Sequence, residues 1–169
     1  FLETIASTPE KVRSSRLHRI ESILKEVIHG MSNLIFERDL VGRPHLKMKY
    51  THWRPNGGWQ LEEEFSDGTL RMIAFLWTLL DTKSVILLEE PELSLHQDII
   101  EKIPELILRA KKSRKKADGQ IFISTHSSAI LSSPVIRGQY LILKPSDKGE
   151  GTTVTPPSKQ EESALDEGI

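Results

Sequence analysis

The residues most able to do chemistry lie at Glu89-Glu90-Pro91-Glu92, directly after the apolar run Val85-Ile86-Leu87-Leu88. A short run that begins β-branched suits a strand buried on both faces of a parallel sheet. Pro91 cannot donate to a sheet ladder, so the strand should stop before it. That leaves Glu89 and Glu90 at the carboxyl end of the strand, where open α/β sheets bind ligands. Adjacent side chains on a strand point in opposite directions. One carboxylate can therefore address a hard cation such as Mg2+, which is usually held by one or two carboxylates plus substrate phosphates. The other can orient or deprotonate an attacking water. The plainer alternative is a strand that ends in a solvated acidic turn.

Two further groups carry potential chemistry. Ser66-Asp67-Gly68-Thr69 precedes Met72–Leu80, which is apolar nearly all round and reads as a buried helix. Ser66 or Asp67 is its N-cap. The free N–H groups and dipole of a helix amino terminus favour anions, and Gly68 lets a phosphate approach closely. A well-capped buried helix accounts for the same residues without a ligand. Thr125-His126-Ser127-Ser128 follows a second apolar strand, Ile121–Ser124. A histidine flanked by hydroxyls can hydrogen-bond a phosphate, or it can be a satisfied core or capping residue.

The elements that must position these groups follow from periodicity. Thr8-Pro9-Glu10 reads as a helix start with Thr8 as N-cap. An apolar stripe then runs through Leu17, Ile20, Leu24, Val27 and Met31, Gly30 is a stop signal, and Arg13, Arg16, Arg19 and Lys25 form a solvated basic face. Asn33–Leu40 reads as a short strand. Leu46–Trp53 alternates as a half-buried strand does, Arg54–Gly58 is turn-rich, and Trp59–Glu62 resumes the alternation, so a β-hairpin is expected before the buried helix. Trp53 and Trp59 flank its turn and read as a cross-strand aromatic pair rather than as a platform for stacking a base. After the acidic stretch, Ser94 is the expected N-cap of a helix through Ile99, Ile100, Ile103, Leu106 and Ile107, kinked by Pro104.

Arg109, Lys111, Lys112, Arg114, Lys115 and Lys116 then form the strongest basic run of the chain. It reads as a solvated loop or as a contact to a nucleic-acid backbone. Ala129–Leu131 gives one helical turn, Tyr140–Leu143 a strand that Thr152–Thr155 can pair with, and Glu161–Leu165 the start of a helix.

Composition bounds the remaining possibilities. The chain of 169 residues, 37% hydrophobic and 28% charged, fits one globular domain with a real core. The net charge of −1 favours no class of partner. With no cysteine, disulfides and thiolate metal sites are excluded. No apolar run approaches the ~20 residues that span a bilayer, so no membrane contact is expected. The chain begins at Phe1 and ends at Gly168-Ile169, and is expected to be part of a longer protein.

Ser66-Asp67-Gly68-Thr69, Leu87-Leu88-Glu89-Glu90-Pro91-Glu92 with Leu95-His96, and Ser124-Thr125-His126-Ser127 occur in a fixed order. Together they resemble the carboxyl-terminal half of ABC-type ATPase heads of the structural-maintenance-of-chromosomes (SMC), RecF and OLD-like group, and above all its prokaryotic AAA-family ATPases. The resemblance is strong over Leu61–Leu143 and loose in the flanks. It implies an α/β P-loop NTPase partial domain, mainly a parallel sheet flanked by helices. Residues 1–143 would be the carboxyl-terminal part of the head and 144–169 a polar extension.

It further implies ATP and Mg2+ as cofactors, with ATP held between the heads of a homodimer in the cytoplasm. Ser66, Asp67, Gly68 and Thr69 would form the signature loop that contacts the γ-phosphate held by a second subunit. Glu89 would lie near Mg2+, where the family usually has aspartate. Glu90 would position the water, Leu93–His96 would lie at the dimer seam, and His126 would sense the γ-phosphate. No Gly-x-x-x-x-Gly-Lys-Ser/Thr loop is present, since no glycine here is followed by lysine. The family carries that loop upstream, so this chain would hold half of a site that drives a DNA-related or defence process.

Two other classes fit less of the sequence. One is a non-catalytic module for dimerisation or nucleic-acid binding. The other is a hydrolase using Glu90 and His126 as acid and base, for which no Gly-x-Ser-x-Gly elbow exists.

Overall fold

A computed structural model describes residues 1–51, 58–81, 85–93, 95–112, 120–136, 140–146 and 149–166. The order of elements is α1 (Leu2–Ser7), α2 (Glu10–Leu24), β1 (Met31–Arg38), β2 (Pro44–Tyr50), β3 (Trp59–Leu61), α3 (Asp67–Asp81), β4 (Ile86–Glu89), α4 (Gln97–Ile100), α5 (Ile103–Lys112), β5 (Ile121–Ser124), α6 (Ser128–Leu131), β6 (Ile142–Pro145), β7 (Thr152–Thr155) and α7 (Lys159–Asp166). Strands β1, β2 and β3 form an antiparallel sheet in that order, and β6 pairs antiparallel with β7. The parallel sheet expected around the acidic stretch is the pair β4–β5, with Leu88 opposite Ile123 and Glu89 opposite Ser124.

Helix α3 is the apolar centre. Met72, Ile73, Leu76, Trp77 and Leu79 are all buried, as a helix apolar on most of its circumference requires. They pack in one core with Leu17, Ile20 and Leu24 of α2, Leu46 and Met48 of β2, and Ile103 and Leu106 of α5.

The first helix differs from expectation. Thr8 is the C-cap of α1, and Pro9, with an extended ψ of 137°, is the N-cap of α2. Proline has no N–H to lose at that position, so it starts a new helix at no cost in hydrogen bonds. Helix α2 ends at Leu24, before Val27 and Met31; Met31 opens β1 instead. Gly30, at φ 80°, makes that entry, and a Cβ there would stand 3.0 Å from the carbonyl oxygen of Thr51.

The expected solvated basic face is largely engaged. Arg13 lies 4.1 Å from the centroid of the Phe36 ring and donates to the carbonyls of Ala6 and Thr8. Arg16 pairs with Asp81 and covers Trp77. Lys25 pairs with Glu21. Desolvation alone would push the buried Glu21 carboxyl up, but Lys25 and the amides of Asn33 and Leu34 together hold it below the usual range. Those two amides, at 3.0 and 3.3 Å, belong to a bulge in β1 where Asn33 adopts φ 52°. Glu21 thus satisfies the donors that the bulge takes out of the ladder.

A second polar cluster ties the hairpin to the segment leading into α3. His45 Nδ1 lies 2.8 Å from Glu62 Oε1, and Glu62 Oε2 accepts the Leu46 N–H at 2.9 Å. The Glu62 partner, with Asp39 on the other side, raises the His45 pKa above its ordinary 6.5 against the opposing effect of burial. A raised folded-state pKa contributes stability that is fully present below the unfolded value and is lost as pH rises through the folded value. The difference in melting temperature between the native protein and His45→Gln should therefore be largest below pH 6.5 and shrink as pH rises above it. A difference independent of pH would rule out this ion pair.

Pro104 does more than kink its helix. The pattern is split into α4 and α5, and Pro104 falls in the first turn of α5, where its missing N–H is harmless. The N-cap of α4 is His96, whose Nδ1 accepts the Asp98 N–H at 3.4 Å. Ser94 lies outside the described residues, as do Trp53, the turn 52–57, and Arg114, Lys115 and Lys116.

The parallel pair departs from expectation in its burial. Ile86 is buried, but Leu87 is 77% exposed and its cross-strand partner Phe122 53% exposed. The β4–β5 pair is therefore covered on one face only. Two strands with helices on one side leave the other apolar face uncovered, whereas parallel sheets are normally covered on both.

Candidate functional site

The site lies where β4 and β5 end together. Because the two strands run parallel, their carboxyl ends share one edge, and the loops after them meet there. The Glu90 N–H donates to the Ser124 carbonyl at 3.0 Å, extending the ladder by one residue. Glu90 then adopts φ 41°, a left-handed conformation uncommon for a residue with a side chain. Such strain costs about 1–3 kcal/mol and concentrates at functional positions.

This turn brings two of the expected site residues together. Glu90 Oε1 lies 3.2 Å from His126 Nε2. The His126 side chain is 92% exposed, and Glu90 is partly exposed. An acid and an imidazole in hydrogen-bond contact on an open edge can order a water and a phosphate oxygen between them. Glu89, the last residue of β4, is exposed beside them.

Glu92, named in the acidic stretch but given no role from the sequence, joins the two loops. Its Oε1 accepts the Thr125 hydroxyl and the His126 N–H, the latter at 3.3 Å. Thr125 Oγ1 in turn accepts the Ser127 N–H at 3.0 Å. The sequence signal was a third carboxylate two residues after Glu90; its partner, 33 positions away, could not be read from spacing.

The Ser66–Thr69 turn is built as expected. Ser66 caps α3: its Oγ accepts the Thr69 N–H at 3.2 Å, and its carbonyl accepts the Leu70 N–H at 3.0 Å. The Ser66 and Thr69 hydroxyls are 2.9 Å apart. Ser66 and Asp67 are exposed, and Thr69 is buried. No hydrogen bond among the described residues joins this turn to the Glu90–His126 pair.

Magnesium fits this edge in one way. Among the described residues no three His, Asp or Glu side chains gather to hold a metal ion by themselves. A hard cation bound by Glu89 alone, or with a neighbour, would need phosphate oxygens and waters to complete its shell, which is how Mg2+ is ordinarily held at nucleotide sites.

In the basic run, Arg109 pairs with Glu26, while Lys112 is exposed at the end of α5. No helix among the described residues is long and apolar enough to cross a membrane.

A family model described as "AAA domain, putative AbiEii toxin, Type IV TA system" matches residues 2–132. No curated protein matches the chain. Solved structures do. One is a chain from "Structural biochemistry of ATP-driven dimerization and DNA stimulated activation of SMC ATPases", at 16% identity and a TM-score of 0.60, covering 91% of this chain and 90% of that one. Another is the SmcHead bound to the C-winged helix domain of ScpA, at 16% identity and a TM-score of 0.63 over 94% of this chain and 49% of that one. A third is the Smc head domain with a coiled coil and joint from Pyrococcus yayanosii, at 15% identity and a TM-score of 0.60 over 91% of this chain and 29% of that one. At these identities the likeness shows the fold, that of an SMC-type ATPase head. The chain spans less than half the length of the last two.

Proposed function

The chain belongs to this AAA-domain family, and from that premise we propose that it supplies the water-positioning and phosphate-sensing half of an ATPase site completed by the phosphate-binding loop that the family carries upstream of these residues. The observation that carries this reading is the pairing of Glu90 with His126 on the shared carboxyl edge of β4 and β5, with Glu90 held in a strained conformation. In the proposed complex, ATP lies between two heads. Glu90 orients the attacking water, and His126 donates to a γ-phosphate oxygen. Glu89 is the carboxylate that would help hold Mg2+, and the ion would supply charge neutralisation on the phosphates. Ser66, Asp67, Gly68 and Thr69 present a capped helix terminus to the γ-phosphate of the opposite head.

The uncovered face of β4–β5, with Leu87 and Phe122, supports the half-site reading, because a two-stranded parallel pair needs a second apolar cover. A cytoplasmic location and contact of Lys111, Lys112 and their basic neighbours with DNA belong to the same proposal.

For the protein carrying this chain together with its phosphate loop, the expected result is Mg2+-dependent ATP hydrolysis, with the mass in solution doubling on ATP binding when hydrolysis is slow. Titration calorimetry and light scattering measure both. Absence of ATP binding by that protein would overturn the proposal.

A further inference from the structure

We propose that Glu92 is the positioning residue of this site, holding the backbone of His126 so that the imidazole meets Glu90. The inference rests on the ATPase reading for its kinetic consequence, but not for its structural one. Glu92 sits in the turn after β4, and its Oε1 takes two donors from the loop after β5: the Thr125 hydroxyl and, at 3.3 Å, the His126 N–H. Thr125 Oγ1 passes the constraint on by accepting the Ser127 N–H at 3.0 Å. With its side chain 92% exposed, His126 has no packing to fix its ring. Its placement therefore depends on its backbone and on Glu90 itself, and Glu92 holds that backbone.

The second oxygen of Glu92 argues that this is more than a strand staple. Oε2 is buried and has no hydrogen-bond partner among the described residues. A carboxylate oxygen withdrawn from water without a partner is unfavourable. Glutamate here accepts both donors through one oxygen and makes the position of His126 follow the turn that carries Glu90. Any shift of that turn is transmitted to the histidine, so the water-positioning group and the phosphate-sensing group move as one unit.

The experiment uses the full protein with Glu92→Ala, Glu92→Gln and Thr125→Val, each also combined with His126→Ala. Amide hydrogen exchange at His126 and Ser127 reads the structural link. Steady-state ATP hydrolysis reads its consequence. Glu92→Ala should speed exchange at these two amides by about tenfold, the worth of a lost hydrogen bond. It should lower kcat on the order of 10²-fold, with KM for ATP unchanged, as misplacement of a catalytic group by about an ångström does.

Glu92→Gln keeps an acceptor oxygen and should retain most of kcat. Thr125→Val removes the hydroxyl that donates to Glu92 and accepts the Ser127 N–H while preserving shape, so if Glu92→Ala unfolds, faster exchange at His126 with a smaller loss of kcat reads the same link. In the His126→Ala background, Glu92→Ala should lower kcat no further. Unchanged exchange at His126 and Ser127, or a full additive loss in the double variant, overturns the proposal. If the native protein does not hydrolyse ATP, the ATPase reading fails, and amide exchange alone decides whether Glu92 holds His126.

Discussion

Glu90→Gln should abolish ATP turnover in the protein that carries this chain while leaving ATP bound. The substitution preserves size and the ability to hydrogen-bond His126, at 3.2 Å in the native chain, but removes the negative charge that polarises a water for in-line attack. Removal of a general base is worth ~10²–10⁴ in rate, or about 3–5 kcal/mol of transition-state stabilisation. Binding should persist because the phosphate contacts of the proposed site come from other groups. Single-turnover hydrolysis beside calorimetric ATP binding separates the two quantities, and unchanged turnover would remove Glu90 from its role. The strained backbone supplies a control. At φ 41°, Glu90→Gly should relieve strain and raise the melting temperature even as turnover is lost. Activity and stability would then move in opposite directions at one residue, as expected where function maintains an unfavourable conformation.

The second large effect falls on the fold. Trp77, 2% exposed on α3, packs in the core and lies under the Arg16 guanidinium, which is 5.3 Å from its ring. Trp77→Ala should cost about 3–5 kcal/mol, combining lost burial with the cavity left behind. It also releases Arg16 from the ring. Trp77→Phe should cost distinctly less. The indole Nε1 is buried and finds no acceptor among the described residues, so phenylalanine removes an unsatisfied donor along with some volume. Chemical denaturation of both variants tests the order. If Trp77→Phe were as damaging as Trp77→Ala, the indole nitrogen would have to be engaged in solution. Because α3 begins at the Ser66–Thr69 turn, its docking also fixes where that turn faces.

The sequence by itself determined the elements whose signals are local. The apolar run before Glu89, the proline after Glu90, the capped apolar helix after Ser66 and the hairpin before it all appear as expected. Each depends on side-chain period, capping or a missing N–H within a few residues. The Glu90–His126 pairing was also within reach, since both residues close parallel strands and parallel strands end on one edge.

Only the tertiary structure decided the rest. Glu21 serves a bulge 12 residues away, His45 meets Glu62 across 17, Arg16 meets Asp81 across 65, and Glu92 reaches Thr125 across 33. A charged residue on a helix or turn looks the same in sequence whether it is solvated or paired, because its partner is chosen by how separate elements pack. The exposure of Leu87 and Phe122 has the same origin. An apolar strand records that a covering face is wanted, and only the assembled fold shows that this chain covers one side and leaves the other open.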